Sequence, residues 1–361
     1  MVVCYTGGGT LGHIYPALAV YQALAAECAH QAFFIGRKNE HERAAVEATS
    51  IPFYAISSGK LRRYRSKKNF SDPFLVIAGF FQALVLLMRH RPQVLFSKGG
   101  FVTPPVVFAA FLLRIPVVSH ESDSSAGLAT RLNSRFSRVL CVPHTEGFTH
   151  LKSKRLAVTG SPLRHEILTH TQKKEGSLAW LDPDETLILV LGGSSGAEAI
   201  NALVDQSYEA LTALGYVYHQ CGRGKAKSRS YGSRYTEVEF ITDELPALLE
   251  RADLIISRAG ANAIAEFAYF GSAVILLPLS RAASRGDQVE NAQHLANKGA
   301  AKVLFGEVNA EQFIAAVTEV LTDQKLLVAL REAIASLAEP QSAKKIAQIL
   351  KEEGSCICSG E

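Results

Sequence analysis

Short apolar runs alternate with longer stretches of helical periodicity from one end of the chain to the other. Runs of four or five apolar residues bounded by Gly, Pro or polar turns predict buried strands. Apolar positions recurring every three to four residues predict helices packed upon them. In the first half, strands are expected at 2–6, 32–35, 52–56, 94–97, 116–119, 139–142 and 156–158. The helices between them fall at 16–27, 39–48, 74–90, 104–113 and 126–135. After Pro162 the alternation restarts, with strands at 187–191, 216–220, 238–241, 254–257, 274–277 and 302–304. Its helices are expected at 197–213, 244–250, 261–270, 287–298, 309–321 and 324–337.

Such alternation is the mark of a parallel sheet covered on both faces. The fold class expected is α/β, with two Rossmann-like domains at 1–162 and 163–339 facing each other across a cleft. The segment 160–186, with Gly160-Ser161-Pro162, Lys173-Lys174 and Pro183, reads as the link. Glu339-Pro340 breaks the chain again, and the helix in 340–361 is expected to cross back onto the first domain. Ligands of such sheets lie over the carboxyl ends of the strands.

The residues that serve no core do follow strands. Val2 to Thr6 runs into Gly7-Gly8-Gly9-Thr10-Leu11-Gly12-His13, which opens a helix. Glycines there let backbone approach a phosphate or developing oxyanion, and the helix start faces it with partial positive charge. His13 adds a group that can exchange a proton at that point. Leu187 to Leu191 followed by Gly192-Gly193-Ser194-Ser195-Gly196 repeats the design, with Ser194 either holding a phosphate or capping the helix. Ser97-Lys98-Gly99-Gly100-Phe101 and His120-Glu121-Ser122-Asp123 close two further strands. In Arg258-Ala259-Gly260-Ala261-Asn262-Ala263-Ile264-Ala265-Glu266 the small residues admit a sugar or nucleotide. The two oxygens of Glu266 match the vicinal diol of a ribose. Arg164 can neutralise a phosphate or form a hinge salt bridge.

Composition narrows the classes. A chain of 361 residues is long enough for two cores, which 48% apolar content can fill. A net charge of +4 is too small to make nucleic acid the main partner. The six cysteines show no framework spacing and read as reduced thiols, with Cys356 and Cys358 in a frayed tail. The first residues have none of the regions of a signal peptide, and no apolar run reaches the roughly 18 residues of a spanning helix. One location signal stands out. Lys60, Arg62, Arg63, Arg65, Lys67 and Lys68 precede an uncharged run from Pro73 to Met88. Phe74, Leu75, Phe80, Phe81 and their neighbours cover more than one helix face. That run is either buried on both sides or docks peripherally on an anionic membrane.

Taken in order, Gly8-Gly9-Thr10-x-Gly12-His13-x-x-Pro16-Ala17-Leu18-Ala19, Gly99-Gly100-Phe101-Val102, His120-Glu121, Gly192-Gly193-Ser194-x-Gly196-Ala197 and Asp287-Gln288-x-x-Asn291-Ala292 resemble the MurG family of peptidoglycan N-acetylglucosaminyltransferases. The resemblance spans nearly the whole chain. It implies the GT-B fold and an inverting transfer without metal or other cofactor. The donor would be UDP-N-acetylglucosamine (UDP-GlcNAc), and the acceptor an undecaprenyl-linked muramoyl-pentapeptide. It also implies peripheral attachment to the cytoplasmic face of the inner membrane, beside other cell-wall synthesis proteins.

Carried onto this sequence, it makes His13 the base and sets Thr10, Leu11 and Gly12 beside the acceptor diphosphate. It assigns Ser194 and Arg164 to phosphates, Glu266 to the ribose, and Ala261, Asn262, Ala263, Ile264 and Ala265 to the helix end near the leaving group. The backbone of Ile241 would read the uracil, Gln288 and Asp123 would contact the donor sugar, and Gly7 would be incidental. Leu11 and Asp123-Ser124 depart from the family's glycine and Asn-Gly. Rival readings are a transferase with another lipid acceptor such as diacylglycerol, and an oxidoreductase using Gly7-x-Gly9-x-x-Gly12 with Arg37 for NADP. A membrane-docked binding protein without catalysis is the third.

Overall fold

The computed structural model describes residues 1–59, 68–170, 178–193, 196–227, 232–280 and 286–355, with backbone alone at 68–71. The chain forms two compact units: Met1–His165 together with the segment from Glu339 onward, and Glu166–Ala338.

The first unit runs β1 (Val2–Thr6), α1 (Leu11–Glu27), β2 (Gln31–Arg37), α2 (Glu40–Glu47), β3 (Phe53–Ile56), α3 (Lys68–His90) and β4 (Val94–Ser97). It continues with α4 (Thr103–Leu112), β5 (Val117–His120), α5 (Leu128–Asn133), β6 (Val139–Val142) and β7 (Arg155–Val158). The strands are parallel, in the order β3-β2-β1-β4-β5-β6-β7. Alternate side chains of these strands feed opposite cores, as a pleated strand requires. Val3, Tyr5, Phe34, Val94 and Phe96 face α1 on one side. Cys4, Phe33, Ile35 and Leu95 face Ala83 and Leu87 of α3 and Val106 and Ala110 of α4 on the other.

A one-turn α6 (His165–Leu168) stands at the joint. The second unit then runs β8 (Leu187–Leu191), α7 (Glu198–Gln206), α8 (Tyr208–Leu214), β9 (Tyr216–Gln220), β10 (Tyr235–Val238), α9 (Leu245–Arg251) and β11 (Leu254–Ser257). After it come α10 (Ala261–Phe270), β12 (Val274–Leu276), α11 (Asp287–Asn297), β13 (Lys302–Val303), α12 (Ala310–Thr322) and α13 (Gln324–Ala335). Its parallel sheet has the order β10-β9-β8-β11-β12-β13. In each sheet the strand order reverses beside the first strand, between β1 and β4 and between β8 and β11. A crevice opens at such a point. The last helix, α14 (Ser342–Ser355), belongs to the first unit and buries Ala343, Ile346, Ala347 and Leu350 with Ile14, Ala17 and Leu24 of α1.

Several elements differ from the periodicity reading, among them α3, which starts at Lys68 and not at 74, and α6, which that reading does not include. The first helix begins at Leu11, before Pro16, because the His13 amide closes a tight turn on the Thr10 carbonyl at 3.1 Å. The expected helix 197–213 is two helices, since Ser207 leaves the helical basin at φ −110° and ψ 13°. The strand expected at 238–241 lies at Tyr235–Val238, where the buried Tyr235 ring can reach His219, so Ile241 falls in the loop beyond it.

Candidate functional site

The turn after β1 is built from contacts that a larger residue would break. Gly8 and Gly9 take φ of +154° and +106°, and the following loop comes so close that a Cβ on Gly100 would lie 2.0 Å from the Gly8 carbonyl oxygen. Gly7 is not incidental, because a Cβ there would press on the His13 carbonyl at 3.0 Å. Beneath the turn lies Glu42, 2% exposed, whose Oε1 accepts from the Gly9 amide at 3.1 Å and from Arg37 Nε at 2.8 Å. Arg37 also lies over the Phe101 ring, 5.8 Å from its centre. The residue that kept a dinucleotide reading open is therefore engaged in holding the turn.

His13 sits half-exposed in the first turn of α1, with Nδ1 3.1 Å from the Thr10 hydroxyl. When Nδ1–H donates to that hydroxyl, Nε2 keeps its lone pair and can take a proton. Gly12 lies between them in the same turn. Arg164, at the end of the unit, holds its guanidinium carbon 5.8 Å from the centre of the Tyr15 ring on the next turn of α1.

At the corner after β5, Glu121 is a loop organiser. Its Oε1 accepts from the amides of Ser122 (2.9 Å) and Asp123 (3.2 Å), and its Oε2 from the Gly127 amide (3.2 Å) and the Thr130 hydroxyl (2.6 Å). His120 Nε2 donates to the Gly160 carbonyl at 2.8 Å. Burial first, and then the nearby Lys98 charge, hold that imidazole well below its usual pKa, so it is neutral. Asp123 is half-exposed on the loop that Glu121 shapes.

The second unit repeats the plan. A Cβ on Gly196, at φ +72°, would lie 2.2 Å from the Cys221 carbonyl, so the turn and the end of β9 meet backbone to backbone. Ala197 is the N-cap of α7. Ser194 lies outside the described residues. After β11, Ala261, Asn262, Ala263, Ile264 and Ala265 form the half-exposed first turns of α10, while Glu266 is 7% exposed. The Ile241 amide is 4% exposed and donates to Gln220 Oε1 at 2.9 Å, so a ligand reading that amide must take the place of Gln220. Gln288, near the start of α11, accepts from the Leu279 amide at 3.0 Å through Oε1. Each unit thus gathers its candidate residues at the carboxyl edge of its own sheet. Glycine turns and helix starts there suit phosphates, and carboxylate and amide side chains suit hydroxyls.

Residues 3–140 match the glycosyltransferase family 28 N-terminal domain, and residues 187–349 the family's C-terminal domain. The chain belongs to glycosyltransferase family 28. A relative from Clostridium botulinum is 44% identical over 306 residues, covering 84% of this chain and 85% of its own length. One from Legionella pneumophila is 38% identical over 354 residues, 97% of this chain and 96% of its own. Both are named UDP-N-acetylglucosamine–N-acetylmuramyl-(pentapeptide) pyrophosphoryl-undecaprenol N-acetylglucosamine transferase. The crystal structure of Acinetobacter baumannii MurG is 27% identical, with a TM-score of 0.74 over 97% of this chain and 99% of its own. A UDP-GlcNAc 2-epimerase from Neisseria meningitidis bound to UDP-GlcNAc shares the fold at a TM-score of 0.71 and 14% identity, over 98% of this chain and 100% of its own.

As a family 28 member, the chain accommodates its departures locally. Leu11 needs no positive φ. It takes the first helical position of α1 and packs on the core, while Gly8 and Gly9 absorb the unusual backbone. Two charged residues escape sequence reasoning. Glu42 reads as part of an ordinary solvated helix, and its only local signal is the Asn39 side chain capping its amide at 2.9 Å. Arg258 is half-buried without an ion pair among the described residues, and burial lowers its pKa. It stands beside the start of α10.

The α3 surface also sorts its residues. Phe74, Leu75, Ile77, Phe81, Val85 and Met88 are exposed, Phe74 at 74%. Phe80 is half-buried, 5.6 Å ring to ring from Phe108 of α4. Arg62, Arg63 and Lys67, and the side chain of Lys68, lie outside what is described. Asp72–His90 is long and apolar enough to cross a membrane, with a mean hydropathy of 1.6, which corrects the reading that the run is too short. One stripe of it is nonetheless committed to the fold: Gly79, Ala83 and Leu87 are buried, and Gln82 Oε1 accepts from the Ser57 amide at 2.7 Å.

Proposed function

We propose that this protein transfers N-acetylglucosamine from UDP-GlcNAc to undecaprenyl-diphospho-N-acetylmuramoyl-pentapeptide, in a peptidoglycan-building step. What carries the reading is identity of 38–44% across most of the chain with relatives that bear that name. In support, the candidate residues gather at the carboxyl edges of both sheets.

The first unit takes the acceptor, its diphosphate against Thr10, Leu11, Gly12 and the start of α1. His13 Nε2 removes the proton of the attacking sugar hydroxyl, with Thr10 holding the ring in the required tautomer. The second unit takes the donor, with phosphates at Ser194 and the α7 start, ribose at Glu266, uracil at Ile241, and sugar at Gln288. The hydroxyl displaces UDP directly and inverts the anomeric centre. Helix starts and Arg164 stabilise the leaving diphosphate, so no metal is called for. The exposed face of α3 docks on the anionic cytoplasmic face of the membrane, where the acceptor resides. Its buried stripe makes that attachment peripheral.

The test is transfer of labelled sugar from UDP-GlcNAc to the purified lipid acceptor, with diacylglycerol and NADPH as control arms. A labelled disaccharide lipid is expected with the first acceptor alone. His13→Ala is expected to lower kcat by about 100-fold or more, the usual worth of a positioned base. Turnover within a few-fold of the parent would remove His13 from that role.

A further inference from the structure

Lys98 is the one charged residue at the first site that the reading above leaves without a task. It follows β4 directly, and its amide donates to the Thr6 carbonyl at 2.9 Å. It therefore flanks the crevice between β1 and β4 where the strand order reverses. A Cβ on Gly7 would lie 3.5 Å from Lys98 Cβ, so lysine and glycine turn share one wall. The residue is 3% exposed, and its ammonium has no hydrogen bond or ion pair among the described residues. Glu121 and Asp123 act on it only as charges nearby, and Glu121 has both oxygens occupied by its own loop. Burial lowers the Lys98 pKa against their pull. A further anion beside so enclosed an ammonium would favour its charged form.

The turn beside it needs a cation for its own reasons. Its amides and the α1 start offer partial charge only, and the buried Glu42 carboxylate beneath Gly9 opposes any anion placed there. Arg37 meets part of that carboxylate. Lys98, whose Cβ stands beside Gly7, adds a full positive charge to the same wall.

Resting on the acceptor reading above, we propose that Lys98 pairs with the diphosphate of the acceptor lipid. The lysine is then a specificity element. It favours a diphosphate-linked lipid over a neutral one.

The test compares Lys98→Met and Lys98→Arg with the parent, measuring KM for each substrate, binding of inorganic pyrophosphate by calorimetry, and Tm. In Lys98→Met the acceptor KM is expected to rise at least 10-fold, as for loss of a charge-assisted bond. The UDP-GlcNAc KM should stay within two-fold, and pyrophosphate binding should be lost. Tm should hold or rise, because a buried ammonium is replaced by an apolar chain of similar shape. Lys98→Arg should recover most of the acceptor affinity. An unchanged acceptor KM with pyrophosphate binding intact would overturn the proposal. So would a fall in Tm with both KM values moving together, which is the mark of a structural lysine. If the parent itself transfers nothing to this acceptor, the functional reading has failed instead. Pyrophosphate binding lost in Lys98→Met would still support the anion site, and binding equal to the parent's would sink it.

Discussion

Single residues at these sheet edges divide into those proposed to touch substrate and those that shape the turns carrying them. His13 owes its availability to Thr10, and the turn that carries both owes its position to Glu42, far away in sequence and buried beneath Gly9. Buried histidines add a pH dependence of their own. In the second unit His219 is 1% exposed, donates from Nε2 to Asn201 Oδ1 at 3.1 Å and accepts at Nδ1 from the Tyr235 hydroxyl at 2.7 Å. Burial lowers its pKa to about 4. In the unfolded chain it titrates near 6.5, so between those values the unfolded state binds more protons and stability falls with pH. Moving from pH 7.5 to 5 should remove about 2 kcal/mol of stability through this residue. Urea midpoints at the two pH values measure it, and His219→Gln should flatten the difference. His120 adds the same sign in the first unit.

At the level of the element, the proposed membrane docking rests on α3. Its inward stripe of Gly79, Ala83 and Leu87 holds it to α4 and the sheet, and its outward face presents Ile77, Phe81 and Val85 at more than half exposure each. Changing Phe81 and Val85 to serine should cut binding to vesicles rich in anionic lipid by about 10-fold or more, since each removes a large apolar contact. Cosedimentation reads the effect, and Tm should stay within a degree or two because neither side chain is buried. Equal vesicle binding by parent and variant would argue against docking through this face. Elements were also where sequence reasoning reached furthest. Periodicity placed nearly every strand, because a strand buried on both faces must be an unbroken apolar run. Glycine turns announced themselves because their geometry is local. Lys98 and Glu42 did not, since their roles arise only when strand order brings β4 and α2 beside the turn after β1. Ile241 was found as a residue but not as a capped amide, because Gln220 reaches it from a neighbouring strand.

Across the whole molecule, the two units repeat one plan, a central strand, a glycine turn and a reversal of strand order. Family 28 membership and the relatives' names attach a donor and an acceptor to that plan. The first unit is not continuous in sequence, because α14 completes its core after the chain has passed through the second. Ile346→Ala should destabilise the first unit by about 2–5 kcal/mol, the usual range for a fully buried aliphatic side chain. A fluorescence probe in each unit, followed through urea, should show the first transition moving while the second stays.

That discontinuity has a consequence for biosynthesis. Because Ile346 and Leu350 follow the whole second unit in sequence, α1 keeps an uncovered apolar flank until that unit has been made. The second unit, contiguous from Glu166 to Ala338, can finish folding while the first waits. A ribosome that stalls before α14 releases a chain whose earliest helix is still exposed, open to chaperones and proteases. Closure of the amino-terminal core therefore comes only after the second unit has been made.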